Sequence, residues 1–475
     1  MNPAHVPLAT LLALAATSAC LAQDARPVAF TNARLVPISG AVIERGTLVV
    51  KNGKIEAIGA DAVVPPGARV IDATGKTIMP GLVSAWSRAG LQGAAPPRIE
   101  TPQPGGRRGG RGQEIPMPMP SAGTANKAAT KVVDGLYAKQ TVFGDLLRAG
   151  ITSLALTPNG SGFPGLGAVL RPDGKTVEQL TRDDGAFVQI VMVRDTATKK
   201  LLKETFDKAQ KVVEERKKPP EKPAPPAGEP KPAEPKPGDA KTEPPKGNEP
   251  PKPEPKPEPK PEPKPEPKPE PKKDAQAPAA APKPAEPKDP NLEVLADLLE
   301  GKRKAIVQID SAADFLHWQQ VVPESVTFPR AIAMLRHDTA SGTIEQVVEQ
   351  VKAWKCPVLL PPDMTTLPRS RVLVHPAKDL HDAGVELAFA VGDNVPTVKM
   401  LFFRLMELVR YGLPADVALR GVTLVPAKIL GIDKHAGSLE VGKDADLLVF
   451  RGDPLSPAGD LESVWLAGAE VKKEP

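Results

Sequence analysis

Cysteine is almost missing from this 475-residue chain, which holds only Cys20 and Cys356. Cys20 lies in a segment that reads as a removable leader. A mature form cut before Gln23 would keep Cys356 alone, and that excludes a disulfide within one chain. The stretch "AWKCPVLLP" sets Cys356 beside an apolar run with no base or electropositive neighbour, so a buried, inert thiol is expected there, not a nucleophile. Long apolar runs are also missing. The best candidate, "LATLLALAATSACLA" from Leu8 to Ala22, falls short of the roughly 20 residues that a membrane-spanning helix needs. A strong charge of either sign is absent as well: a formal +5 is small for this length and points to no polyanionic partner. No serine-nucleophile or phosphate-cradle signature is present, because the Gly-rich "NGSGFPG" leads into no helix start of that kind.

The apolar run itself ends in small residues, the form of an export signal over residues 1–22. No Lys or Arg precedes it. "TSAC" has a faint likeness to a lipoprotein signal, but Thr17 is a poor start for one. Export in soluble form to a bacterial periplasm is therefore expected ahead of lipid anchoring at Cys20.

Short β-runs fill residues 23–76: "VAFTNARLVPI", "TLVVKNGKIEAIG" and "ARVIDATG" alternate apolar and polar positions, with Asn52-Gly53 as a two-residue hairpin turn. The same texture returns over 433–475 in "GSLEVGKDADLLVFRG" and "LESVWLAGAEV". Both ends are expected to pair into one small β-sandwich. Between them, over 77–432, eight apolar strands alternate with amphipathic helices: "TIMPGLVSA", "GITSLALTP", "GAVLRP" (the weakest), "AFVQIVMV", "KAIVQID", "RAIAMLR", "PVLLPP" and "VELAFAVGD". Ser311 is a good N-cap for "AADFLHWQQ", and "GTIEQVVEQVKAW" has helical spacing. The class is α/β, a parallel (β/α)8 barrel, with an open doubly wound sheet as the alternative.

Two segments cannot build a core. Residues 93–126 contain "PPRIETPQPGGRRGGRGQEIPMPMP"; its RGG-like run reads as a loop in an exported chain, and no nucleic acid is expected. Residues 217–288 hold 27 of the 58 prolines, many of them in "PKPEPKPEPKPEPKPEPKPEPKK". Proline separating Lys from Glu favours extended polyproline II, about 3.1 Å per residue, so the strict repeat alone would reach on the order of 60 Å. The flanking runs read as parts of one β/α unit. The insertion is thus a surface excursion, inert or serving an envelope contact.

The ends carry a resemblance. "ARLVPISGAVIERGTLVVKNGKIEAIG" with "VIDATGKTIMPGLV", and "GVTLVPAKILGIDKHAGSLEVGKDADLLVFRGDPL", resemble the N- and C-terminal portions of amidohydrolase-superfamily enzymes of the imidazolonepropionase-like group; "LLRAGITSLALTPNGSGFPGLGAVLR" is also similar. The resemblance implies a metal-dependent barrel that hydrolyses C–N bonds of amides, cyclic amides or peptides, with zinc, manganese or iron polarising the carbonyl and acidifying water.

Where the resemblance calls for an Asp and a His-x-His pair after "PGLV", this chain has Ser84, Trp86 and Arg88. Indole offers a metal no lone pair and guanidinium no acceptor. "AFVQIVMVRD" holds Arg194 and Asp195 in place of a bridging Lys, and Gln308 and Asp310 stand where another His is expected. "LRHDT" matches a histidine position at His337, and "AVGDNVP" matches the strand-eight carboxylate at Asp393. The candidate metal set is His337, Asp393 and Asp310, with Asp393 either the base or a structural carboxylate; one divalent metal or none is the open alternative. Arg88 is expected to stand where a metal stood, bonding Asp393 or Asp310. His317, His381 and His435 are expected to be structural or solvated, and His375 is a further loop candidate. The function classes left open are a reduced hydrolase, an inert member that binds a small molecule or peptide or pairs with an active relative or a second copy, and an envelope-associated protein.

Overall fold

A computed structural model describes residues 26–91, 125–218, 288–336, 344–367 and 369–472. The leader, nearly all of the 93–126 loop and of the insertion, and His337 lie outside the described residues.

Both chain ends contribute to one sheet. Strands Val28–Leu35, Ile43–Lys51, Lys54–Gly59, Arg69–Asp72 and Lys76–Pro80 are joined by Leu447–Arg451, Asp460–Leu466 and Ala469–Glu470. The seam is the antiparallel pair of Lys76–Pro80 with Leu447–Arg451. These strands form one continuous hydrogen-bonded sheet and not two separate ones. The Asn52-Gly53 turn has positive φ at both residues, 51° and 77°, which matches the right-handed twist of its flanking strands. Apolar residues on alternate positions, such as Phe30, Leu48, Ile78 and Trp465, bury one face.

The chain crosses to the second sheet at Gly81, within the run read as one strand. A Cβ there would lie 2.2 Å from Thr152 Oγ1, so only glycine allows this approach. Leu82–Ser84 then begins a path of eight strands: Leu82–Ser84, Ile151–Leu156, Gly162–Leu170, Thr181–Val191, Ala305–Gln308, Arg330–Ala333, Val358–Leu360 and Leu387–Phe389. The end strands are bridged by the backbone after helix Ala415–Arg420: Phe389 N–H donates to Gly421 O at 2.7 Å and Val83 N–H to Val422 O at 3.0 Å. The result is a nearly closed barrel.

One strand departs from the expected pattern. Gly162–Leu170, the weakest of the eight in sequence, runs antiparallel to both of its neighbours in this path, with the short Ala125–Asn126 pairing beside it in parallel. Only residues 157–161 separate it from Ile151–Leu156, too few for the crossover of a dozen or more residues that parallel pairing requires. A bare Gly167 lets it lie under Phe187, whose ring would sit 2.1 Å from a Cβ there.

The lumen is a packed core. Val83, Ala85, Ala155, Phe187, Ile306, Ala333, Leu359 and Ala388 point inward, while Leu154, Val188 and Val307 face the helices. Trp86 joins the inward set and caps it. At the insertion, helices Thr196–Lys217 and Pro290–Leu299 pack together, and Arg216 bridges Glu293, Asp297 and Glu300.

Candidate functional site

The C-terminal ends of the parallel strands define the barrel mouth, where side chains from several strands converge. Ser84 ends its strand fully buried and donates from Oγ to Trp86 O at 2.9 Å, tightening the turn that follows. Ser87 O accepts both Thr157 N–H and Thr157 Oγ1–H at 2.9 Å, fixing the next residue against the second strand. This turn lays the indole of Trp86 over the lumen, with 9% of its surface exposed, and presents Arg88 to the mouth.

Across the closing seam, Leu387–Phe389 leads to Asp393. Gly392 takes φ 104° and lies so close to Thr397 that a Cβ would sit 2.5 Å from its methyl. Asn394 caps helix Val395–Arg410, accepting Thr397 N–H at 3.0 Å. "GDNVP" therefore holds Asp393 rigidly between strand and helix. Its Oδ2 accepts the backbone N–H of Arg88 at 3.2 Å, while Oδ1 is buried without a partner.

The link between Arg88 and Asp393 thus runs through the main chain. The guanidinium lies 5.8 Å from the Trp86 ring, its Nε buried without a partner. Among the described residues it forms no ion pair within 4.0 Å of Asp393 or Asp310. Burial pushes Arg88 below the usual guanidinium range; Asp393 and Asp310 oppose this and Arg336 adds to it. Asp310 accepts from Gln308 Nε2 at 2.8 Å and Leu335 N–H at 3.3 Å. Burial still pushes its carboxyl above the usual range, against the pull of those bonds and of Arg336.

Of the candidate metal set, Asp393 and Asp310 lie under the positive charges of Arg88 and Arg336, so this described part of the set fits a divalent cation poorly; His337 lies outside the described residues. Among the described residues no group of three or more His, Cys, Asp or Glu is placed to hold a metal.

Other candidates serve the scaffold. Arg194 pairs with Asp314 at 3.0 Å, and Asp195 accepts from Thr198 N–H at 2.7 Å, at the start of helix Thr196–Lys217. His375 is buried as the N-cap of helix Pro376–Asp382, taking Lys378 N–H on Nδ1 at 3.1 Å and facing Leu408 O with Nε2 at 3.0 Å. It is not a site residue: both nitrogens are occupied. His317 lies within helix Ala312–Val321, as expected, beside Lys199 Nζ at 3.0 Å. Cys356 is half-buried, and burial pushes its thiol up to about 11, against Arg330.

Three features escaped the sequence reading. Gln189 is the fully buried polar residue on its strand, between outward-facing Val188 and Ile190, and the alternation of "AFVQIVMV" could have revealed it. Arg336 precedes His337 and adds the second positive charge. A cavity of about 250 Å³ adjoins the mouth, walled by Trp86, Leu335, Pro361, Val391 and Leu401 and touching Asp393; the paired Asp363 and Arg404 also line it.

The amidohydrolase family model matches residues 339–471. The chain is 34% identical over 117 residues to imidazolonepropionase of Sphingopyxis alaskensis, covering 24% of this chain and 28% of that one. It is 36% identical over 134 residues to imidazolonepropionase of Pseudomonas entomophila, covering 28% and 32%, and 31% identical over 98 residues to amidohydrolase tasK of Hapsidospora irregularis, covering 21% and 10%. The chain therefore spans a third or less of these relatives' lengths. Over 94% of the chain the fold is similar to an amidohydrolase crystal structure from Thermotoga maritima, covering 100% of it, with TM-score 0.65 and 22% identity.

Proposed function

Since the chain belongs to the amidohydrolase superfamily, we propose that it uses the hydrolase fold to bind a small molecule, with Arg88 and Trp86 taking the place of a resident metal's ligands. The observation that carries this reading is the charge arrangement at the mouth. The guanidinium of Arg88 acts on Asp393 and Asp310, the two carboxylates that would otherwise attract a cation. A fixed positive charge there offsets the cost of partly burying those carboxylates. It also repels a divalent ion. In the family's metal-dependent members the metal supplies polarisation of a carbonyl and acidification of water; no residue described here reproduces that pair of effects.

A second reading is a reduced hydrolytic site of His337, Asp393 and Asp310, cleaving an amide, cyclic amide or dipeptide. What supports it is Asp393 Oδ1, a buried acceptor that holds no hydrogen bond. We propose in addition that the chain is exported to the periplasm, an idea supported by the apolar run Leu8 to Ala22. Among the described residues no helix is long and apolar enough to cross a membrane.

Elemental analysis of protein purified without chelators decides between the two readings. The binding reading expects zinc, manganese and iron far below one per chain. Near-stoichiometric metal that disappears in the His337→Ala, Asp393→Ala double variant would replace it with the hydrolytic one.

A further inference from the structure

A cation without an anion lies at the end of the barrel away from the mouth. Arg330 is the first residue of strand Arg330–Ala333 and so stands at the N-terminal end of the parallel strands. Trp318, late in helix Ala312–Val321, and Trp354, at the C-terminal end of helix Val348–Ala353, come to the same place. The guanidinium carbon lies 4.1 Å from the centre of the Trp354 ring and 5.3 Å from that of Phe328, and the two indoles are 5.9 Å apart. Arg330, Trp318 and Trp354 line a cavity of about 330 Å³, whose other walls include Val322, Pro323 and Val326.

Among the described residues Arg330 is in no ion pair within 4.0 Å. It donates to the Cys356 thiol, which burial keeps neutral by pushing it up to about 11. No Arg330 nitrogen is buried without a partner. The N–H groups that Cys356 does not take are therefore accessible. Glu324 lines the cavity as well, but it is exposed and is not among the groups that act on the charge of Arg330.

A guanidinium stacked on an indole keeps its edge free, and that edge matches the two oxygens of a carboxylate. A carboxylate thus gives this partly buried charge the partner it lacks. A neutral amide offers an acceptor without the charge, and a second cation is repelled. Inorganic phosphate needs donors around three oxygens, which walls of Val322, Val326 and indole do not supply. The volume lies at the lower end of the ~300–1,000 Å³ usual for ligand pockets, so the body must be compact.

We propose that this cavity binds a small organic carboxylate, its two oxygens on the Arg330 guanidinium and its apolar body against the indole-lined wall. The site is separate from the mouth and does not depend on the reading given to it.

The test is calorimetric titration of the full-length protein with sodium benzoate near neutral pH, beside benzamide, benzylammonium chloride and inorganic phosphate. Benzoate should bind about tenfold or more tightly than benzamide, with benzylammonium and phosphate weaker still. Arg330→Met should cut benzoate affinity about tenfold. Arg330→Lys, which keeps the charge and loses the fork, should cut it severalfold, with circular dichroism checking the fold of each. Benzoate no tighter than benzamide or phosphate in the wild-type protein overturns the proposal, whether or not a variant folds. So does benzoate binding that a folded Arg330→Met, or failing that a folded Arg330→Lys, leaves unchanged, because the anion then sits elsewhere.

Discussion

The barrel floor and the barrel mouth use the same kinds of charged side chain to different ends. At the floor, where the terminal sheet joins the barrel, Arg171 pairs with Asp446 at 3.0 Å, and Asp444 holds Arg182 at 2.7 Å and Lys54 at 2.8 Å. Ala467 N–H adds a bond to Asp446 at 2.8 Å. At the mouth, Arg88 and Asp393 meet only through a backbone N–H. Both regions leave buried atoms without partners: Arg182 Nη1 and Asp446 Oδ2 below, Arg88 Nε and Asp393 Oδ1 above. The difference is that each floor side chain is also in an ion pair through another atom, whereas Asp393 opens onto a cavity. The charges that hold the two sheets together are paired with each other, as are Asp363 and Arg404 at the cavity; Asp393 is in no ion pair among the described residues.

The sharpest way to break this comparison is to remove a floor partner. Asp446→Ala would leave Arg171, 15% exposed, with only its longer contacts of 3.7 Å to Asp444 and Asp173, and should lower unfolding free energy by about 1.5–3 kcal/mol in denaturant titrations. A loss near zero would mean that the floor pairs, too, are idle. The pH dependence tests the same pair more finely. Burial holds Asp446 above its ordinary value of 3.8, with Arg171 only partly offsetting it. In the window between that value and the raised one, the folded chain keeps a proton that the unfolded chain releases. Stability from this group is therefore present below the window and lost as pH rises through it. Compared with Asp446→Asn, which cannot titrate, wild-type unfolding free energy should fall with rising pH, by at most about 1.4 kcal/mol per unit. A difference growing the other way would mean that pairing outweighs burial.

Sequence reasoning reached the floor and the mouth unequally. All eight barrel strands were legible because apolar runs and their flanking helices follow fixed periods, and Ser311 was legible as a cap because its side chain bonds locally, to Asp314 N–H. The direction of Gly162–Leu170 was missed, although the five-residue connection before it already excludes a crossover. At the mouth, motif positions located Ser84, Trp86, Arg88, Asp310 and Asp393. They could not show that Arg88 reaches Asp393 through its main chain, nor that His375 is spent on a helix cap. The first depends on a contact 305 residues apart, which no local pattern encodes; the cap itself is local, to Lys378 N–H, but the contact of the other His375 nitrogen with Leu408 O spans 33 residues. The floor pairs of Arg171 and Arg182 with the "GKDAD" carboxylates are invisible for the same reason.

The smallest expected effect sharpens the comparison most. Asp393→Asn keeps an acceptor for Arg88 N–H and weakens that bond from charge-assisted to neutral. It also removes a charge whose Oδ1 has no donor, relieving the cost of its burial. The two changes oppose one another, so thermal or denaturant unfolding should shift by no more than about 1 kcal/mol. A loss of several kcal/mol would place Asp393 with Asp446, as a carboxylate kept to hold Arg88 and the turn around it. A shift near zero means that the charge-assisted bond to Arg88 N–H and the cost of burying the carboxylate offset one another.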